Sequence, residues 1–242
     1  MTERSSRLGA VSTAIGLTYG SYLAGNVVLL VVGGLFAAVG ISLAARPALR
    51  LFASTVFLQG VTFGGIAIAY VTLTERNFDF VPFDVPDRRD AIVIVGGFLA
   101  LLALLAAASA VISWMGLESA QNQIVEIGNR NPVVFLVLIP LSFLLVGPGE
   151  ELLYRGVVQG RLGEVLHPAR AVVLASALFA SIHLFSLSGE GKVVYIAVAF
   201  VLALVLGAIY EYTGNLTVPA IVHGGYNAAQ FAVAYLAATG GP

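Results

Sequence analysis

Six polar side chains in the C-terminal half of this 242-residue sequence are of types that could carry out chemistry. They occur in three short runs, GPGEELLYRG, FASIH and HGGYN, each set among apolar residues. The residues are Glu150, Glu151, Arg155, His183, His223 and Asn227. A carboxylate or an imidazole can act as a general base, and imidazole and carboxamide groups can donate hydrogen bonds to a developing oxyanion. Together these groups could hydrolyse an amide with an activated water and without a covalent nucleophile.

The spacing within the first run assigns different tasks to its two carboxylates. Glu151 and Arg155 are four residues apart in the order that favours an ion pair on a helix. Glu150 is rotated by about 100° from that pair and is therefore free to act as a base. The preceding Gly147-Pro148-Gly149 predicts a break or kink in the helix that exposes backbone N–H groups beside the carboxylates.

The other two runs also present their polar groups on single helix faces. His223 and Asn227 are four residues apart, as are Phe179 and His183. Three helices could therefore direct an acid, two imidazoles and a carboxamide to one point. An ionisable group inside a membrane helix costs about 2.5–3.5 kcal/mol on insertion scales, so each is a candidate for function.

Composition indicates that these helices lie in a membrane. Of the residues, 59% are hydrophobic and 10% are charged, and the mean hydropathy is +0.95. So few charged side chains cannot cover the surface of a soluble protein of this size. The net charge of −1 and the lack of a basic block argue against a nucleic-acid partner. The sequence has no cysteine, which excludes disulfides and thiolate chemistry.

The apolar stretches predict an all-α, polytopic transmembrane helical bundle that forms one domain over residues 1–242. Seven stretches are long enough to span a bilayer. They cover residues 8–45, 51–73, 91–114, 132–149, 171–189, 193–210 and 215–242. The first is long enough to hide a hairpin broken near Gly16, Gly20 or Gly25-Asn26, which makes eight helices the alternative. Residues 74–90 predict an extended interfacial connection, and residues 115–131 a short amphipathic helix.

The distribution of basic residues predicts the orientation in the cell membrane. With seven spans, eight arginines fall on one side and four basic residues on the other. The first group is Arg4, Arg7, Arg76, Arg88, Arg89, Arg155, Arg161 and Arg170, and the second is Arg46, Arg50, Arg130 and Lys192. The N-terminus and the loop after residue 149 are therefore expected to be cytoplasmic. An eighth segment would make the two counts equal.

The three runs resemble the motifs of a known family. EELLYR is similar to the EExxxR motif, FASIH to FxxxH, and HGGYN to HxxxN of the CPBP (Abi, CAAX protease) family of intramembrane endopeptidases. They occur in the family's order within residues 150–227, and the run before His223 is also similar to the family. Residues 1–130 contribute only apolar helices to this resemblance.

The resemblance implies a role for each residue. Glu150 and His183 would activate the attacking water, Glu151 with Arg155 would organise the site, and His223 and Asn227 would form the oxyanion hole. It also implies a membrane-associated or lipidated peptide or protein as substrate, in some members a prenylated CAAX tail. No cofactor is expected for a glutamate-type peptidase.

Three alternatives remain open at the level of the sequence. Glu150, His183 and His223 could instead bind a catalytic zinc ion, although no HExxH motif is present. The chain could be a non-catalytic membrane binding or immunity protein with the same fold. It could also be a transporter with a proton relay, although its polar groups cluster in one half of the chain.

Overall fold

The computed structural model describes residues 3–76 and 78–240, with the side chains of residues 3–5 and 78 left out. These residues form eight helices, numbered here in chain order. They are α1 (Glu3–Ala38), α2 (Pro47–Leu73), α3 (Arg88–Trp114), α4 (Gln123–Arg130), α5 (Val133–Gly163), α6 (Pro168–Ile182), α7 (Lys192–Thr213) and α8 (Thr217–Thr239). The predicted all-α bundle is confirmed.

Six helices are long and apolar enough to cross a membrane, so the chain is a multi-pass membrane protein. They are α1, α2, α3, α5, α7 and α6 with its 3-10 extension to Ser186. Seven spans were predicted. The seventh, α8, forms over 23 residues but does not reach the same apolarity, because it carries His223, Asn227 and Gln230. The last two residues of the predicted span 215–242 lie outside the described residues.

The alternative of a hairpin within residues 8–45 is wrong, and the single first span is confirmed, because α1 is continuous from Glu3 to Ala38. A Cβ atom added at Gly16 or Gly20 would meet nothing within 4 Å, so no packing contact forces a bend at either glycine. A glycine in a helix interior costs only about 1 kcal/mol, which a long helix tolerates. The eighth helix is instead the short α4.

The connections follow the predicted pattern. α4 is the expected short helix within residues 115–131, and the Asn122 side chain caps it by accepting a hydrogen bond from the Ile124 N–H. The described residues between α2 and α3 form no strand and include one 3-10 turn at Phe78–Phe80. Two short strands, β1 (Gln121–Asn122) and β2 (Leu187–Ser188), pair antiparallel and join the α3–α4 connection to the end of α6.

Helix α5 lies at the centre of the bundle and packs against α1, α2, α6 and α8. Among the six apolar helices it has the largest fraction of buried residues, 44% over its most apolar 18 residues. Leu153, Tyr154 and Val157 of α5 form a core with Phe63 of α2 and Phe179 of α6. The site residues of α5 are therefore held within the protein and away from lipid.

Of the break or kink predicted at Gly147-Pro148-Gly149, the break is wrong, because α5 continues through this run, and the kink stays a prediction. Pro140 and Pro148 both lie inside the helix and lack the N–H group that an α-helical hydrogen bond needs. Two π-helical segments, Ser142–Val146 and Leu152–Gln159, flank the run Gly147–Glu151. Such local widening lets the backbone groups freed by proline find other partners within the helix.

Candidate active site

The two adjacent carboxylates of α5 are buried and have separate partners. Glu150 is 4% exposed and Glu151 is fully buried. Glu151 Oε1 accepts a hydrogen bond from Arg155 Nη1 at 3.1 Å, which is the predicted ion pair four residues apart. Glu150 does not share that pair, as predicted. It instead accepts a hydrogen bond from Gln59 Nε2 of α2 at 2.9 Å.

Arg155 is held on every side inside the bundle. It is 1% exposed, its Nη2 donates to the Ala203 carbonyl of α7 at 3.1 Å, and its Cζ lies 4.6 Å from the centre of the Phe179 ring. Arg155 was predicted to lie on the cytoplasmic side, in the count of loop residues. Arg155 is not a loop residue, because it lies inside α5, and without it the two sides have seven and four basic residues.

His223 of α8 lies between the two carboxylates. Its Nδ1 is 2.7 Å from Glu151 Oε1 and its Nε2 is 3.8 Å from Glu150 Oε2. The short contact with a carboxylate requires a proton on Nδ1, because an ionised carboxylate can only accept. Glu151 therefore fixes the orientation of the ring and directs Nε2 towards Glu150. The gap of 3.8 Å is longer than a hydrogen bond.

His183 lies at the end of α6, where its Nδ1 is 3.0 Å from the Phe179 carbonyl oxygen. A carbonyl oxygen only accepts, so Nδ1 carries the proton in this contact. In the neutral ring, Nε2 is then an acceptor for a water. The ring also lies beside Phe179, with 4.8 Å between the ring centres. His183 thus has the tautomer that a base requires.

A cavity of about 930 Å³ in the bundle joins these groups. Glu150, His183, His223 and Asn227 all line it, together with residues of α1, α2, α3 and α7 and of the α3–α4 connection. Asn227 has no hydrogen-bond partner among the described residues, so its carboxamide can bind a ligand. Three separate helices therefore bring all four groups to one cavity with a largely apolar lining, and Glu151 and Arg155 lie behind it. The catalytic roles of the six residues remain predictions.

The glycines of the Gly147-Pro148-Gly149 run permit close contacts on two sides of α5. A Cβ atom at Gly149 would lie 2.3 Å from the Gln59 carbonyl oxygen of α2. A Cβ atom at Gly147 would lie 2.5 Å from the Ala220 carbonyl oxygen of α8. Small residues at such positions let membrane helices approach closely. This contact places Gln59 and His223 beside the two carboxylates.

Gln59 was missed by the interpretation of the sequence. It is a polar residue within the apolar stretch 51–73, and a polar side chain in a membrane helix is a functional candidate by the same rule that selected the histidines. Tyr195 of α7 also lines the cavity, with its ring centre 6.4 Å from that of His183, and its hydroxyl is hydrogen-bonded to Asn122. No spacing in the sequence connects either residue to the three motifs.

The zinc alternative concerns the same side chains of the cavity. Within residues 3–76 and 78–240, no group of three or more histidines and acidic residues is placed to hold a metal ion. A zinc site would need three such ligands at about 2.0–2.2 Å from the ion. The zinc alternative, with Glu150, His183 and His223 as ligands, therefore remains a prediction for a chelator to test.

The fold and the cavity define a multi-pass helical membrane protein with a buried acid, imidazole and amide site. Residues 132–229, which contain all three motifs, match the family described as Type II CAAX prenyl endopeptidase Rce1-like. This match confirms the resemblance to CAAX proteases over that segment. The description of that family names an endopeptidase that acts on prenylated CAAX sequences.

A second comparison extends beyond the motifs. The chain is 30% identical over 141 residues to the uncharacterized protein YpbD of Bacillus subtilis (strain 168). The match covers 57% of this chain and 66% of that relative, which is just under two thirds of its length. No solved structure matches the chain significantly.

Proposed function

We propose that this protein is an intramembrane endopeptidase that cleaves peptide bonds of membrane-associated substrates, including prenylated CAAX-type tails, with a water activated by Glu150. The convergence of Glu150, His183, His223 and Asn227 on one cavity carries this proposal. The match of residues 132–229 to CAAX prenyl endopeptidases supports the substrate class. The site would work in the cell membrane without a cofactor.

The proposed reaction uses a water held between Glu150 Oε2 and His183 Nε2. Glu150 takes a proton from the water while the water oxygen attacks the carbonyl carbon of the scissile amide. The C–N bond then breaks, and the proton passes from Glu150 to the leaving nitrogen. The products are a new carboxyl terminus and a free amine. A positioned base of this kind contributes about 10²- to 10⁴-fold to a rate.

His223 and Asn227 would stabilise the oxyanion of the tetrahedral intermediate. The Asn227 amide has no partner among the described residues and can donate to that oxygen. His223 can donate from Nε2 when both ring nitrogens carry protons, and its Nδ1 lies 2.7 Å from Glu151 Oε1. Loss of one oxyanion donor typically costs about 10²- to 10³-fold in kcat.

The experiment compares wild-type protein with Glu150→Gln and His183→Asn in detergent micelles, using a fluorogenic prenylated CAAX peptide. We expect Glu150→Gln to lower kcat by about 10²- to 10⁴-fold, because glutamine cannot accept the proton. Glu126→Gln is the matched control, since Glu126 lies on the short helix α4 in an exposed pair with Arg130. Equal cleavage by the wild type and Glu150→Gln would overturn the proposal.

A further inference from the structure

We propose that Gln59 is a positioning residue that selects Glu150 Oε2 as the oxygen that takes the proton, an inference that rests on the proposed function. Gln59 Nε2 donates to Glu150 Oε1 at 2.9 Å, and no other hydrogen bond to Glu150 is formed within the described part of the chain. Because an ionised carboxylate can only accept, the amide NH₂ must face Glu150. One carboxylate oxygen is therefore occupied and the other is free.

The free oxygen is the one that faces the rest of the site. Glu150 Oε2 lies 3.8 Å from His223 Nε2, on the side of the carboxylate that Gln59 does not occupy. Both Gln59 and Glu150 line the cavity. Without the Gln59 contact the carboxylate could rotate about its terminal bond, since such torsions have broad wells. A misplacement of about 1 Å can cost about 10²-fold in rate.

The local backbone explains why Gln59 can reach Glu150. Gln59 lies in the π-helical segment Ser54–Thr62 of α2, and π-helical turns are frequent at functional sites. A Cβ atom added at Gly149 would lie 2.3 Å from the Gln59 carbonyl oxygen and 3.3 Å from Gly60 Cα. The backbones of α2 and α5 are therefore in contact at Gly149, one residue before Glu150. This contact fixes the distance between the carboxamide and the carboxylate.

The contact adds a fourth helix to the site. The three motifs lie on α5, α6 and α8, whereas Gln59 lies on α2, outside both the motifs and the matched segment 132–229. An intramembrane glutamine would be costly in lipid without a polar partner, and Glu150 provides one. The N-terminal half of the chain thus contributes directly to the geometry of the proposed base.

The test measures kcat and KM of Gln59→Met, which keeps the side-chain length and removes the donor. We expect kcat to fall about 10- to 100-fold with little change in KM. Gln230→Met is the control, since Gln230 lines the same cavity and its side chain donates to the Tyr226 hydroxyl rather than to Glu150.

A spectroscopic readout keeps this test separate from that of the proposed function. Infrared difference spectra of wild type against Glu150→Gln isolate the carboxyl band of Glu150, whether or not a peptide is cleaved. The frequency of this band should change in Gln59→Met, which removes the hydrogen bond to Glu150 Oε1, and stay in place in Gln230→Met. An unchanged frequency, or a kcat equal to that of Gln230→Met, would overturn the role of Gln59.

Discussion

One carboxylate oxygen of Glu151 contacts both the Arg155 guanidinium and the His223 ring. Arg155 Nη1 lies 3.1 Å and His223 Nδ1 lies 2.7 Å from Glu151 Oε1, whereas Oε2 has no hydrogen-bond partner in the described chain. All three side chains are at most 8% exposed. In so dry a place, removal of one charge leaves the other without compensation. Glu151 and Arg155 therefore act as a unit that supports His223.

Replacement of Arg155 should show how strongly this unit is coupled. We expect Arg155→Met to lower the free energy of unfolding by about 3–5 kcal/mol, because it leaves Glu151 buried without its partner. The double variant Glu151→Gln/Arg155→Met should recover part of the loss. The measurement is unfolding in a mixed-micelle denaturant series.

Arg130 offers a matched control for that variant. It forms the same kind of pair with Glu126, also four residues apart, but the two side chains are 80% and 48% exposed. Exposed pairs of this kind contribute about 0–1 kcal/mol. Equal losses in Arg155→Met and Arg130→Met would show that burial of the Glu151 pair has no energetic consequence.

At the scale of the elements, the site depends on how closely α5 approaches α2 and α8. Gly149 lies against the backbone of Gln59 and Gly60, and Gly147 lies against the backbone of Ala220. A side chain at either glycine would have to displace backbone atoms, which cannot rotate away. The two glycines therefore control the spacing of three helices around Glu150.

A methyl group at Gly149 should separate α2 from α5. We expect Gly149→Ala to destabilise the protein by about 1–3 kcal/mol, the usual cost of overpacking, and to lower kcat by moving Gln59 from Glu150. Thermal melting and peptide cleavage would measure both effects. Gly64→Ala in α2 is the control, because a Cβ there meets nothing within 4 Å. Unchanged melting and kcat in Gly149→Ala would contradict the close contact.

The sequence predicts those helices whose extent depends on the length of an apolar run. Long apolar runs predicted the seven long helices, and the amphipathic pattern of residues 115–131 predicted α4. The continuity of α1 was open, because glycine tolerates both a turn and a helix. The course of α5 through Gly147-Pro148-Gly149 was predicted wrongly, because π-helical turns depend on hydrogen bonds that no residue pattern specifies.

The site was predictable for residues related by short spacing. The Glu151–Arg155 pair follows from a separation of four residues, and it forms. The contacts of His223 with Glu151 and of Gln59 with Glu150 join residues 72 and 91 positions apart. Such contacts depend on which helices are neighbours, and hydrophobic helices can pack in several arrangements. The sequence alone could therefore suggest convergence but could not identify the partners.

At the scale of the whole molecule, an ionic cluster links the ends of two membrane helices. Glu164, just after α5, accepts hydrogen bonds from Arg76, just after α2, and from Arg161. Burial alone would raise the pKa of Glu164, but the hydrogen bonds from the two arginines lower its pKa below the ordinary value of 4.5. The folded state therefore favours the ionised carboxylate.

This lowered pKa makes a pH-dependent contribution to stability. Because the pKa is lower in the folded state, the contribution is complete above the unfolded value and disappears as pH falls through the folded value. We expect Glu164→Gln to melt below wild type at neutral pH and the difference to shrink in acid. Glu190→Gln, at an exposed site, should show no such trend. A difference that grows in acid would contradict the assignment.

The orientation in the membrane decides from which side substrate enters. The cavity extends to the α3–α4 connection, on the face opposite the N-terminus. The excess of arginines on the N-terminal face predicts that this face is cytoplasmic. The end of the cavity at the α3–α4 connection would then face away from the cytoplasm.

Single cysteines can test this orientation because the chain has none of its own. An impermeant maleimide applied to intact cells should label Glu190→Cys, between α6 and α7, and leave Asp84→Cys, between α2 and α3, unlabelled. Both positions are exposed. Labelling of Asp84→Cys alone would show the opposite orientation, in which the α3–α4 end of the cavity faces the cytoplasm.

The central claim is that Glu150 activates a water for amide cleavage without a metal ion. Its most direct test is mass spectrometry of a prenylated CAAX peptide cleaved in ¹⁸O-labelled water by chelator-treated protein. We expect the wild type to form a product with one ¹⁸O atom in its new carboxylate and Glu150→Gln to form almost none. Loss of wild-type cleavage on chelation, with recovery on addition of zinc, would contradict it, as would undiminished cleavage by Glu150→Gln.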